Sequence, residues 1–143
     1  TREFEVAVAQ AINNQLDFCY ETNFEFYPVD WATEFKDAGF ETRLIFICLE
    51  NQEIAQHRVN VRTKFGGHFV NNETIDFKWK AGYKNFNLHY EFFDSVLIVD
   101  NSRSGKLITN LVQINSGIIE VMVDQLPDYF ERRFPHLFAK LNQ

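Results

Sequence analysis

Two short, unbroken apolar runs, Arg43–Leu49 (RLIFICL) and Ser95–Val99, constrain the fold of this chain more than any other feature. Both are rich in β formers and too short for helices. They predict strands buried on both faces, as in a parallel sheet. Neither approaches the run of about 20 apolar residues that a membrane span requires. Helical spacing surrounds them. Phe4, Val8, Ile12 and Leu16 recur along one helical face, with Ala7 and Ala11 alongside. Asp17–Tyr20 is predicted as a short strand, with Glu21-Thr22-Asn23 just past its end. Pro28 opens a second helix carrying Trp31, Phe35 and Ala38 on one side, with Gly39 placed as its C-cap. A third helix spans about Gln52 to Phe65 and ends at Gly66-Gly67. Asn71 or Asn72 caps a fourth, which runs to about Phe93 with a candidate break at Gly82.

After Ser104-Gly105 the pattern changes. Leu107–Ile114 and Ile118–Val123 flank Asn115-Ser116-Gly117, a hairpin signal. Pro127 starts a final helix that Pro135 breaks or restarts. The order predicts one α/β domain over residues 1–143. It has a mostly parallel sheet with flanking helices, plus a C-terminal β-hairpin and helix. In such sheets ligands sit beyond the carboxyl ends of the strands. Glu21-Thr22-Asn23, Glu50-Asn51 and Asp100-Asn101-Ser102 are expected there. The chain opens at Thr1 without Met, inside an amphipathic helix, and is read as part of a longer polypeptide.

Sixteen Phe residues imply a largely aromatic core. Cys19 and Cys48 both fall in expected buried strands, so free thiols in a reducing, cytoplasmic compartment are predicted. The net charge of −6 argues against a general nucleic-acid binder. No segment reads as a membrane span or a secretory signal. Cations nevertheless concentrate between His57 and Lys84: Arg58, Arg62, Lys64, Lys78, Lys80 and Lys84 face only Glu73 and Asp76. That favours a small anionic or phosphorylated ligand over a polyanion. A solvated, salt-bridged helix face is the plainer reading of the charge alone.

Arg58 and Arg62 share one helical face, and two guanidinium forks there can hold separate phosphate oxygens. Lys64, the Gly66-Gly67 bend and His68 follow, as a closing lid over phosphates would need. The alternative is that the cations only favour a helix C-terminus that Gly66 caps. Glu21 is a carboxylate that can bind a hydroxyl, orient water on a metal, act as a base, or only bond a neighbouring loop. Thr22 and Asn23 share that ambiguity. His57, His89 and His136 lack partners at ligand spacing and are read as structural. Phe65, Phe69, Phe77, Trp79 and Phe86 are assigned to core or lid packing.

Several motifs occur in order: Glu21-Thr22-Asn23; Gly39-Phe40-Glu41-Thr42 before a buried strand; Arg58-Val59-x-Val61-Arg62-x-x-x-Gly66-Gly67-His68-x-Val70; Ile75; Phe77-Lys78-Trp79-Lys80; Gly82 with Asn85-Phe86; and Asp100-Asn101-Ser102. Together they resemble the zeta-toxin-like family of P-loop kinases over roughly Phe4 to Ser102. The resemblance implies a partial P-loop NTPase fold, with a lid near residues 57–84. It implies transfer of the γ-phosphoryl group of ATP to a small molecule, a UDP-amino sugar in well-known members. By the same resemblance, Arg58 and Arg62 contact the ATP phosphates as catalytic residues. Glu21, Thr22 and Asn23 bind the acceptor. Lys64 and His68 line the lid, and Asp100 and Asn101 lie near the nucleotide. Lys78 and Lys80 stand where many relatives have Arg.

The motif G-x-x-x-x-G-K-[ST] is not in the sequence. ATP and Mg²⁺ are therefore expected cofactors of an intact parent enzyme, with no metal held by protein ligands in this chain. The chain alone is expected not to turn over ATP. The other reading is a non-catalytic α/β domain that binds a nucleotide or a protein. An open sheet edge would then be covered by an antitoxin-like partner or by self-association.

Overall fold

Strands β1 (Arg43–Cys48) and β2 (Ser95–Asp100) lie side by side and parallel in the computed structural model, which describes residues 1–105 and 108–143. Their side chains match in register, from Arg43 with Ser95 to Cys48 with Asp100. β3 (Thr109–Asn115) and β4 (Ile118–Val121) continue the sheet antiparallel, giving the order β1-β2-β3-β4. The sheet is thus mixed, with one parallel pair, where a mostly parallel one was expected. Ser116 and Gly117 both have positive φ, the geometry of a tight two-residue hairpin. The expected hairpin start at Leu107 lies outside the described residues.

Helices α1 (Arg2–Asn13) and α2 (Asp30–Asp37) precede the sheet. Helices α3 (Gln52–Lys64) and α4 (Asn72–His89) form the crossover between the parallel strands. Asn51 and Asn71 cap them, each accepting a backbone N–H through its Oδ1 at 3.0 and 2.8 Å. Gly82 does not break α4, and a 3-10 turn at Tyr90–Phe92 follows. The C-terminal segment is two short helices, α5 (Phe130–Arg133) and α6 (Pro135–Leu141), the second with Pro in its first turn. Among the described residues no helix is long and apolar enough to cross a membrane.

One sheet face carries the main core. Val96, Ile98, Val112 and Ile114 pack there against Phe86, Phe130, Phe134 and Leu137, all buried. Phe134 is fully enclosed, with its ring 4.8 Å from Phe130, 5.0 Å from Phe86, 5.5 Å from Tyr83 and 5.9 Å from Phe46. A smaller core joins α1 to α2 through Val8, Ala11 and Phe35. The two regions meet at a polar latch. Thr42 donates its N–H and hydroxyl to Asp94 Oδ2 at 2.8 and 3.0 Å, and Lys36 Nζ lies 3.5 Å from Asp94 Oδ1. The Thr42 backbone donor, then its hydroxyl, holds the Asp94 carboxyl below the usual aspartate range.

Two strand expectations fail. Asp17–Tyr20 forms no strand, because Phe18 turns into the smaller core and stacks on Phe35 at 5.4 Å. β1 is an edge strand, not one buried on both faces: Ile45 and Ile47 are 64% and 61% exposed. The cysteines also divide. Cys19 is exposed on the unpaired segment, whereas Cys48 is buried under the sheet's carboxyl end. Burial pushes the Cys48 thiol up to about 12, and the nearby Asp100 charge adds to it. Native protein is therefore expected to release one equivalent of thiol rapidly to a disulfide reagent, and the second only on unfolding. Two fast equivalents would contradict the buried placement.

Candidate functional site

The carboxyl ends of β1 and β2 are tied together by their own polar residues. Asn101 N–H donates to the Cys48 carbonyl at 2.9 Å. Glu50 N–H donates to Ser102 Oγ at 2.8 Å, while Ser102 donates both its N–H, at 2.9 Å, and its hydroxyl to Asp100 Oδ1. Beneath this loop Tyr83 donates to the Leu49 carbonyl at 3.1 Å, and Tyr129 Oη sits 3.4 Å from Cys48 Sγ. Burial raises both phenols, so both stay neutral donors across the physiological range. Asp100 and Asn101 are thus half-buried residues that shape the edge of the parallel pair.

Arg58 and Arg62 lie on one face of α3, the first half-buried and the second exposed. α3 leaves the carboxyl end of β1, so at 1.5 Å per residue they stand about 9 and 15 Å along it. Among the described residues neither has a carboxylate within 4.0 Å, nor has Lys64. No hydrogen bond or ion pair joins them to Glu21, Asp100 or Asn101. The Gly66-Gly67 bend is a built C-cap. Gly66 N–H donates to the Thr63 carbonyl at 3.2 Å and Gly67 N–H to that of Arg62 at 2.9 Å. Gly66 has φ +91°, and a Cβ on Gly67 would fall 2.9 Å from the Arg62 oxygen, so neither position accepts a side chain without strain. His68 is exposed, and its carbonyl accepts a hydrogen bond from Thr63 at 3.3 Å. Phe65 and Phe69 flank the bend at 87% and 74% exposure, which places them outside any core.

Glu21, Thr22 and Asn23 occupy a turn-rich segment, not a strand end. Thr22 Oγ1 accepts the Phe24 N–H at 2.9 Å. Phe24 and Tyr27 both hold positive φ, a strained conformation for aromatic residues. α4 fixes this segment. Asn85 Nδ2 donates to the carbonyls of Phe24 and Glu25 at 2.9 and 2.8 Å. Lys78 pairs with Glu25 at 3.6 Å, a further tie between this segment and α4. Glycine inside a helix costs about 1 kcal/mol relative to alanine. At Gly82 it lets the Asn23 carbonyl approach closely, since a Cβ would come within 3.2 Å of that oxygen and push it back by a few tenths of an ångström.

Glu21 and Thr22 line an open cleft of about 510 Å³. Asp30 and Glu34, four residues apart on α2, join Glu21 there, against walls that include Phe4, Tyr20, Trp31 and Tyr27. Among the described residues lining it there is no Lys or Arg. Sequence reasoning singled out Glu21 and missed its two companions, whose helical spacing was the available signal. It also missed Asn85 and Gly82 as positioning residues, although both belong to the motifs quoted above. Among the described residues no group of three or more His, Cys, Asp or Glu side chains is placed to hold a metal ion. No known family's sequence model matches the chain, and no curated protein or solved structure is detectably similar to it.

Proposed function

We propose that the chain forms the lid and acceptor side of an ATP-dependent small-molecule phosphotransferase of the zeta-toxin-like kind. In this reading Arg58 and Arg62, with Lys64 and His68, grip nucleotide phosphates over the carboxyl ends of β1 and β2, where Asp100 and Asn101 lie. The acceptor occupies the cleft lined by Glu21 and Thr22, with Asn23 next to them in the chain but not in the cleft wall. The observation that carries it is the pair of guanidiniums on one face of the crossover helix, without a carboxylate partner among the described residues. α4 adds support, because it packs against α3 and also clamps the acceptor segment through Asn85.

The cleft restricts the acceptor. Three carboxylates with no cation repel a sugar diphosphate, so a neutral or cationic molecule bearing a hydroxyl fits better. The phosphate-cradling motif is not in the sequence, so no transfer step is assigned to this chain. The second reading, a non-catalytic nucleotide- or protein-binding domain, is favoured by the free edge of β1 with Ile45 and Ile47 exposed.

Calorimetric titration with ATP separates these readings. Weak, saturable binding is expected, reduced about tenfold or more in Arg58→Ala/Arg62→Ala, since each charge-assisted contact to phosphate is worth over 1 kcal/mol. Absence of binding rules out the lid reading and leaves a protein-binding domain, whereas equal binding by the double variant places the nucleotide away from Arg58 and Arg62 and leaves a non-catalytic nucleotide-binding one.

A further inference from the structure

We infer that the groove between α4 and the α5–α6 pair is a second binding site, for a small, multiply charged anion of the oligophosphate class. The groove encloses about 260 Å³ and is lined by Lys80, Lys84, Arg132 and Arg133 with no acidic residue. In a chain of net charge −6, that gathers four of its fourteen Lys and Arg side chains around one small space. Among the described residues none of the four pairs with a carboxylate within 4.0 Å. Cations crowded without a counter-charge repel one another, and an anion held between them removes that repulsion.

Arg133 supplies the second observation. Its guanidinium lies over the rings of Trp79 and Tyr83, at 5.2 and 5.6 Å from their centroids, which holds it in place without a salt bridge. Its Nε is buried and has no hydrogen-bond partner. Buried donors are seldom left unpaired, and an anionic ligand oxygen is a fitting acceptor for a guanidinium N–H. Asn87 fixes the site from α4, donating to the Tyr83 and Arg133 carbonyls at 2.9 and 2.8 Å. Four cations match a ligand with more than one negative charge. The acidic remainder of the surface repels a long polyanion, which selects a small ligand over nucleic acid. None of Arg58, Arg62 or Glu21 lines this groove, so the inference does not rest on the lid reading.

The test follows the side-chain N–H signals of Arg133 Nε and the Trp79 indole by ¹H–¹⁵N NMR during titration with inorganic pyrophosphate. A parallel arm adds sodium chloride at matched ionic strength. Both signals are expected to shift saturably with pyrophosphate alone. Lys84 and Arg132 are exposed, so Lys84→Ala/Arg132→Ala leaves the fold intact. It should weaken binding about tenfold, roughly threefold for each exposed charge lost, while Arg62→Ala leaves it unchanged. The inference fails if the shifts do not saturate, if chloride reproduces them, or if the double variant binds like wild type. It also fails if Arg62→Ala alone abolishes them, which would place the anion at the lid.

Discussion

Phe134→Ala is expected to destabilise the domain by about 3–5 kcal/mol, the range for deleting a buried phenyl ring whose site cannot collapse. Phe134 is fully enclosed, and four aromatic rings surround it within 5.9 Å. Those neighbours come from β1, α4 and α5, so no single element can move in to fill the void. Phe134 also joins α5 to α6, at the residue before Pro135. A domain of this size has a total stability of about 5–15 kcal/mol, so the loss is a large share of it. At about 2–4 °C per kcal/mol, the thermal midpoint should fall by about 6–20 °C. Phe65→Ala is the internal control. Phe65 is 87% exposed, and its removal should change stability by less than about 0.5 kcal/mol. Equal losses in the two variants would contradict the core described here.

Asn85→Ala carries the second largest effect, about 2–3 kcal/mol by urea denaturation. One side chain serves two backbone acceptors, Phe24 at 2.9 Å and Glu25 at 2.8 Å, both partly buried. Its loss removes two hydrogen bonds worth about 1 kcal/mol each and leaves both carbonyls short of a donor. Phe24 then has less to hold its positive φ. The Glu21–Pro28 segment should loosen as a unit, seen as faster amide exchange there but not in β2 or β3. A stability loss with exchange unchanged in that segment would show that Asn85 does not position the cleft.

The helices were legible because their faces repeat at helical spacing. Asn51, Asn71 and the Gly66-Gly67 stop are local signals, and local hydrogen bonds realise them. The hairpin was legible for the same reason, since Ser116-Gly117 needs only its own backbone geometry. The strands at the edge were not. Arg43–Leu49 is apolar on both faces, and an apolar run cannot say whether a neighbour covers the second face. Asp17–Tyr20 has strand-forming residues, yet side-chain packing decided its fate. Phe18 and Tyr20 both meet Phe4, at 5.8 and 5.6 Å, and among the described residues no strand pairs with their backbone.

The site divided along the same line. Arg58 and Arg62 share a helix, so their common face could be read directly. Glu21 finds Asp30 and Glu34 only through the tertiary turn that brings α2 back beside it. Arg132 and Arg133 lie some fifty residues beyond Lys80 and Lys84, so the basic groove becomes visible only when α5 packs on α4.

Amide shift mapping during an ATP titration of the wild-type chain tests the phosphate-gripping lid most directly. The account predicts saturable shifts from Arg58 to His68 and at Asp100-Asn101, with the Arg58 and Arg62 side-chain Nε signals moving in step. Shifts that fail to saturate, or that are confined to the α4–α5 groove with α3 unmoved, would contradict it.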